Sequence, residues 1–85
     1  MKIFLAPQFE KNYRKLPHHI QLLLQKKEKE FRKNPRSPSL KMHKLSGKLK
    51  DFFSFSINYS YRVVFRFMDK ENVIFYDVGT HSIYS

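Results

Sequence analysis

No cysteine occurs anywhere in this sequence. That excludes a disulfide staple, thiolate chemistry and every cysteine-based zinc site. Long apolar runs are missing too. The first stretch, MKIFLAPQFEKNY, has an apolar run only from Ile3 to Ala6, too short for a signal-peptide core, and no segment is apolar enough to span a membrane. A cytoplasmic location with no membrane contact is therefore expected. Acidic residues are few: seven Asp and Glu stand against seventeen Lys and Arg, a formal net charge of +10 at pH 7 with histidine neutral. The 85 residues make one small domain, 1–85, with no room for a two-domain enzyme and its deep cofactor cleft. A domain of this size buries only about 60% of its extended-chain surface. What is present offsets that: 41% of residues are hydrophobic and 16% aromatic, too apolar for a disordered basic tail. The charge points to a polyanion, of which nucleic acid is the commonest in the cytosol. A solubilising surface or an acidic protein partner are its other uses.

The elements follow in a readable order. Residues 2–6 read as a short strand, with Ile3 and Phe4 favouring β-structure. Pro7 suits the first turn of a helix over 7–16, whose stripe is Phe9, Tyr13 and Leu16. Pro17 breaks that pattern and opens a second helix over 17–33. Ile20, Leu23, Leu24, Lys27 and Phe31 share its inner face, where the Lys27 stem covers apolar surface. Asn34-Pro35 stops it, and 34–39 is a connector. The densest basic stretch, 41–50, carries Lys41, His43, Lys44, Lys48 and Lys50 around spaced leucines, with Gly47 at a turn. Strands over 52–59, 61–68 and 72–78 follow, joined by short polar turns. The order β-α-α-β-β-β gives an α+β fold, a mainly antiparallel sheet covered on one face by a two-helix hairpin.

Alternation assigns the two faces of the sheet. Phe53, Phe55, Ile57 and Tyr59, then Tyr61, Val63, Phe65 and Phe67, then Ile74, Tyr76 and Val78 are expected to face the helices. The other face is expected to collect Ser54, Ser56, Arg62, Arg66 and Asp77, with Val64 and Phe75 between them. Arginine is rarely buried without a partner. Arg66 has Asp77 as a candidate intrasheet partner. Arg62 has serines nearby, which offer no countercharge, so it sits on a solvated face, pairs with an acid such as Asp51 or meets a ligand, and the ligand is the favoured reading. After the last strand Gly79 allows a sharp exit, and His81 and Tyr84 fall near the strand end. Histidine exchanges a proton near neutral pH, tyrosine stacks on bases, and arginine grips phosphate with a bidentate fork. Such a set can cut an RNA backbone without a metal.

The chain resembles the RelE/ParE-like superfamily of bacterial toxins from type II toxin–antitoxin modules, closest in pattern to the RelE-like and YafQ-like mRNA interferases. The resemblance rests on FEKNYRKLP (9–17), the NPRSP connector, LKMHKLSGKLKDFFSFSI (40–57), YRVVFRF (61–67) and VIFYDVGTHSIY (73–84). It implies a toxin that cuts mRNA in the ribosomal A site, touches rRNA, inhibits translation and needs no cofactor and no metal. It also implies a cognate antitoxin, with a toxin–antitoxin heterotetramer as one assembly. The family's phosphate-binding arginine falls on Arg62, its histidine after the last strand on His81, its terminal aromatic on Tyr84, and the histidine of the YafQ-like "H-x-L-x-G" segment on His43. Lys41, Lys44, Lys48, Lys50 and Arg66 are expected to contact RNA or the ribosome. The family pattern is not met everywhere. RelE-like enzymes carry two lysines on the first strand of the meander, where this chain has Ser54 and Ser56. Two other readings stay open: a ParE-like inhibitor of DNA gyrase, and a catalytically degenerate toxin that only binds its antitoxin.

Overall fold

The computed structural model describes residues 1–84, with side chains through residue 83. Five strands and two helices alternate as β1 (Lys2–Leu5), α1 (Pro7–Lys15), α2 (His18–Lys33), β2 (His43–Lys44), β3 (Phe53–Ser56), β4 (Arg62–Phe67) and β5 (Asn72–Gly79). Single 3₁₀ turns occupy Pro38–Leu40, Gly47–Leu49 and His81–Tyr84. Prolines set the helix boundaries. Pro7 is the first residue of α1, where its missing N–H leaves no bond unmade. Leu16, just before Pro17, is extended and ends that helix. Asn34 is extended before Pro35 and ends α2. No helix among the described residues is long and apolar enough to cross a membrane.

The strands form one sheet in the order β1-β5-β4-β3-β2. β1 runs parallel to β5, and the other neighbours are antiparallel. All expected strands form, and the two-residue β2 adds an outer edge beside β3. The helical hairpin covers one face. Ile20, Leu24 and Phe31 of α2 are buried there, with Phe9 and Leu16 from the α1 side. Phe31 is the hub, its ring centroid 5.2 Å from Phe55, 5.0 Å from Phe65 and 5.5 Å from Phe75. Phe9 closes on Phe75 at 5.5 Å. Full burial of each such ring stabilises the fold by about 1.5–3 kcal/mol, which is how so short a chain builds a core.

Four face assignments differ from the expectation. On β5, Phe75 lies in the core, while Ile74 and Tyr76 are half-buried on the other face, Tyr76 against the Phe52 ring at 5.0 Å. The cause is a bulge. Val64 pairs with Asp77 and Phe65 with Phe75, so Tyr76 is an extra residue and the alternation restarts after it. Val73 and Phe75 face the helices before the bulge, and Val78 after it. Asp77 does not pair with Arg66. Its carboxylate accepts hydrogen bonds from Gln8 Nε2 and Asn12 Nδ2 of α1, both at 2.7 Å, and from the Val78 N–H at 2.8 Å. Tyr59 does not face the helices. β3 ends at Ser56, and the Asn58 side chain accepts from the N–H groups of Ser60 (2.9 Å) and Tyr61 (2.8 Å), bending the chain so that Tyr59 stands 94% exposed. The second face is also not uniformly open, since Ser54, Ser56 and Val64 are buried on it.

Candidate active site

Three strand ends converge at one corner of the sheet. Arg62, the first residue of β4, lies opposite Ser56, the last of β3, and opposite Gly79, the last of β5. Directly paired residues share a face, so the Ser56 hydroxyl sits beside the guanidinium and accepts a hydrogen bond from Arg62 Nη1. The other end of the fork, Nη2, lies 3.3 Å from His81 Nε2. A guanidinium only donates, so in this contact the ring nitrogen is the acceptor.

Gly79 makes the approach of His81 possible. A Cβ at this position would lie 2.6 Å from Cγ2 of Ile83, so only glycine lets the 3₁₀ turn His81–Tyr84 fold back against the strand end. The Ile83 N–H closes that turn on the Thr80 carbonyl at 3.1 Å.

Arg62 forms the wall between two hollows. The first, about 490 Å³, is lined by Tyr59, Ser60, Arg62, Thr80, His81 and Ser82. The second, about 320 Å³, is lined by Lys27, Lys41, Ser39, Ser56, Asn58, Tyr59, Arg62 and Ile57. Among the described residues no three histidine or carboxylate side chains converge to hold a metal ion.

The expected site residues are thus partly gathered. Arg62 and His81 meet, and Lys41 lines the second hollow. His43 stands exposed on the outer strand β2 opposite Ser54, and lines neither hollow. Lys44 on β2, Lys48 in the Gly47–Leu49 turn and Lys50 just after it are exposed, outside both. Arg66 is exposed four residues along β4, about 13 Å from Arg62 by strand rise. Tyr84 closes the last turn, but its side chain lies outside the described residues. Ser54 is 1% exposed. Among the lining residues not expected at the site are one cation and one aromatic. Lys27 is the one cation on the apolar stripe of α2, and that break in the stripe was its signal. Tyr59 follows Asn58 in a turn, which should have removed it from the strand alternation.

The sequence matches, over residues 4–81, the family described as RelE-like toxin of the type II toxin–antitoxin system HigB. The chain belongs to the RelE-like toxins. Among solved structures, this RelE-like chain is similar to YafQ from Escherichia coli strain BL21(DE3), with a TM-score of 0.82, 18% identity, and coverage of 99% of this chain and 98% of that one. It is similar to a YoeB/ParE toxin from Agrobacterium tumefaciens at a TM-score of 0.80 and 15% identity, covering 95% and 99%. A third likeness is to the heterotetrameric YoeB–YefM toxin–antitoxin complex from Staphylococcus aureus, at a TM-score of 0.75 and 20% identity, covering 95% and 97%. No curated protein sequence matches. These likenesses show the shared fold, and the family match shows the RelE-like membership of this chain.

Proposed function

We propose that this protein is the toxin of a type II toxin–antitoxin module and cleaves mRNA on the ribosome. One observation carries the reading: the Arg62 guanidinium, held by Ser56, meets the His81 imidazole at 3.3 Å at the mouth of an open hollow. In the proposed reaction the 2′-hydroxyl attacks the adjacent phosphorus and its proton leaves to a base. The bond from phosphorus to the 5′-oxygen breaks, and His81 gives that oxygen a proton. Arg62 holds the non-bridging oxygens, and its charge gains value as the phosphorane forms. The base is His43, exposed on β2 outside both hollows, or a group of the ribosome. Tyr84 stacks on a base of the message. The heterotetramer of the Staphylococcus aureus relative supports a cognate antitoxin as partner. The ParE-like gyrase reading gives the Arg62–His81 pair no task.

The test is single-turnover cleavage on programmed ribosomes, with mapping of mRNA 5′ ends. Arg62→Ala and His81→Ala should each lower the rate by about 10²- to 10³-fold. Tyr84→Phe should be mild and Tyr84→Ala intermediate. Products should carry a 2′,3′-cyclic phosphate and a 5′-hydroxyl. Absence of cleavage by the wild-type protein would support the antitoxin-binding remnant instead, and full activity of His81→Ala would remove histidine from the mechanism.

A further inference from the structure

Arg62 has a second neighbourhood that the cleavage step does not use. On the side away from His81 it shares a hollow with Lys27 and Lys41, which come from different elements. Lys27 projects from α2 with its side chain only 21% exposed, so packing along the stem limits where the ammonium can go. Lys41 follows the 3₁₀ turn Pro38–Leu40 and has φ 50° and ψ 53°, a left-handed conformation uncommon for a residue with a side chain. The turn is tied down from both sides. Leu40 is fully buried, and the Glu30 carboxylate of α2 accepts from the hydroxyls of Ser37 and Ser39. Glu30 also lies 3.9 Å from Lys27 through its other oxygen. It does not line the hollow, which faces outward with three cations and the hydroxyls of Ser39 and Ser56. Over the rim shared by both hollows stands the Tyr59 ring, 94% exposed.

We infer that the Lys27–Lys41 hollow binds a second backbone phosphate of single-stranded RNA, next to the one gripped by Arg62 and His81, with Tyr59 stacking on the intervening base. This deepens the proposed function and rests on it. The chemistry is that of single-strand binding: cations track the backbone while an aromatic face takes the base without regard to sequence. The arrangement sets a register, because Arg62 belongs to both hollows. The phosphate at His81 is cut, and the phosphate at Lys27 and Lys41 is held.

The test uses a fluorescein-labelled hexanucleotide with 2′-O-methyl at every position, which binds but cannot be cleaved by this route. Anisotropy is followed at several salt concentrations. Lys27→Gln and Lys41→Gln should each reduce the slope of log affinity against log salt by about 0.7, the value for one phosphate contact on a single strand. Together they should weaken binding by about tenfold or more at low salt. Tyr59→Ala should weaken it by about 5- to 100-fold with the salt slope unchanged, and Tyr59→Phe should bind as wild type. Lys70→Gln, in the β4–β5 turn at the far end of the sheet, is the reference for loss of one charge anywhere. If the double variant matches Lys70→Gln in affinity and slope, the hollow is not a phosphate site. If both lysine variants and Tyr59→Ala lose antitoxin affinity but keep that for RNA, the surface belongs to the protein partner and the inference is overturned. Because the probe is not cut, this outcome is separate from whether the wild-type protein cleaves mRNA.

Discussion

Position 79 holds hydrogen where any side chain would meet Ile83. The clash at 2.6 Å is with Cγ2, a branch at Cβ that cannot swing aside like the tip of a long chain. Gly79→Ala should therefore push out the whole His81–Tyr84 turn rather than one rotamer. Overpacking of this kind costs about 1–3 kcal/mol. The larger loss should be catalytic, since displacing a reacting group by an ångström can slow a reaction by about 10²-fold. The check is a paired measurement of ribosome-dependent cleavage and thermal unfolding. Gly79→Ala should melt only somewhat lower yet cleave far more slowly. Adding Ile83→Ala, which removes the offending methyl, should restore most of the rate. No recovery in the double variant would show that the turn matters for some reason other than steric fit.

Between the elements, the connector after α2 depends on one carboxylate. Hydrogen bonds from Ser37 and Ser39, helped by the nearby Lys27 charge, hold Glu30 below the ordinary glutamate range. A depressed folded-state value adds stability that is present above the unfolded value and lost as pH falls through the folded one. Glu30→Gln should thus be less stable than wild type at neutral pH in urea unfolding. The two curves should converge as pH drops below the usual carboxylate range. A difference that persists unchanged in acid would mean the charge is not what matters. This tether also explains what could be read in advance. The helices were legible because Pro7, Pro17 and Asn34-Pro35 bracket stripes of Phe9, Tyr13 and Leu16 and of Ile20, Leu24 and Phe31. The Arg62–His81 pair was legible because a strand start and a strand end meet in any antiparallel meander of this order. The face of Phe75 was not, since nothing in NVIFYDVG marks Tyr76 as the extra residue. Lys27 and Lys41 were not paired in advance either, because their approach depends on where Ser37 and Ser39 fold back onto α2.

For the molecule as a whole, the net charge of +10 acts at a distance. An acidic antitoxin segment should be drawn in by the long-range field before any contact forms. Its association rate should fall by about tenfold or more from low to high salt as the Debye length shrinks. Stopped-flow mixing at several ionic strengths measures this directly, and a flat profile would remove the electrostatic part. Alanine at Lys44, Lys48 and Lys50 should flatten the profile while leaving single-turnover cleavage on saturated ribosomes intact, as these lysines stand outside both hollows. The sheet order has a consequence of its own during synthesis. β1 pairs with β5, which follows it by some seventy residues, and β5 lies between β1 and β4. A nascent chain still threaded in the exit tunnel through residues 72–79 thus holds α1, α2 and the early strands without the strand that joins them. Its site is incomplete as well, since His81 comes later still. In the proposed reading, Arg62 therefore lacks both its β5 neighbour and His81 until residues 72–81 have left the tunnel, and the site can form only then.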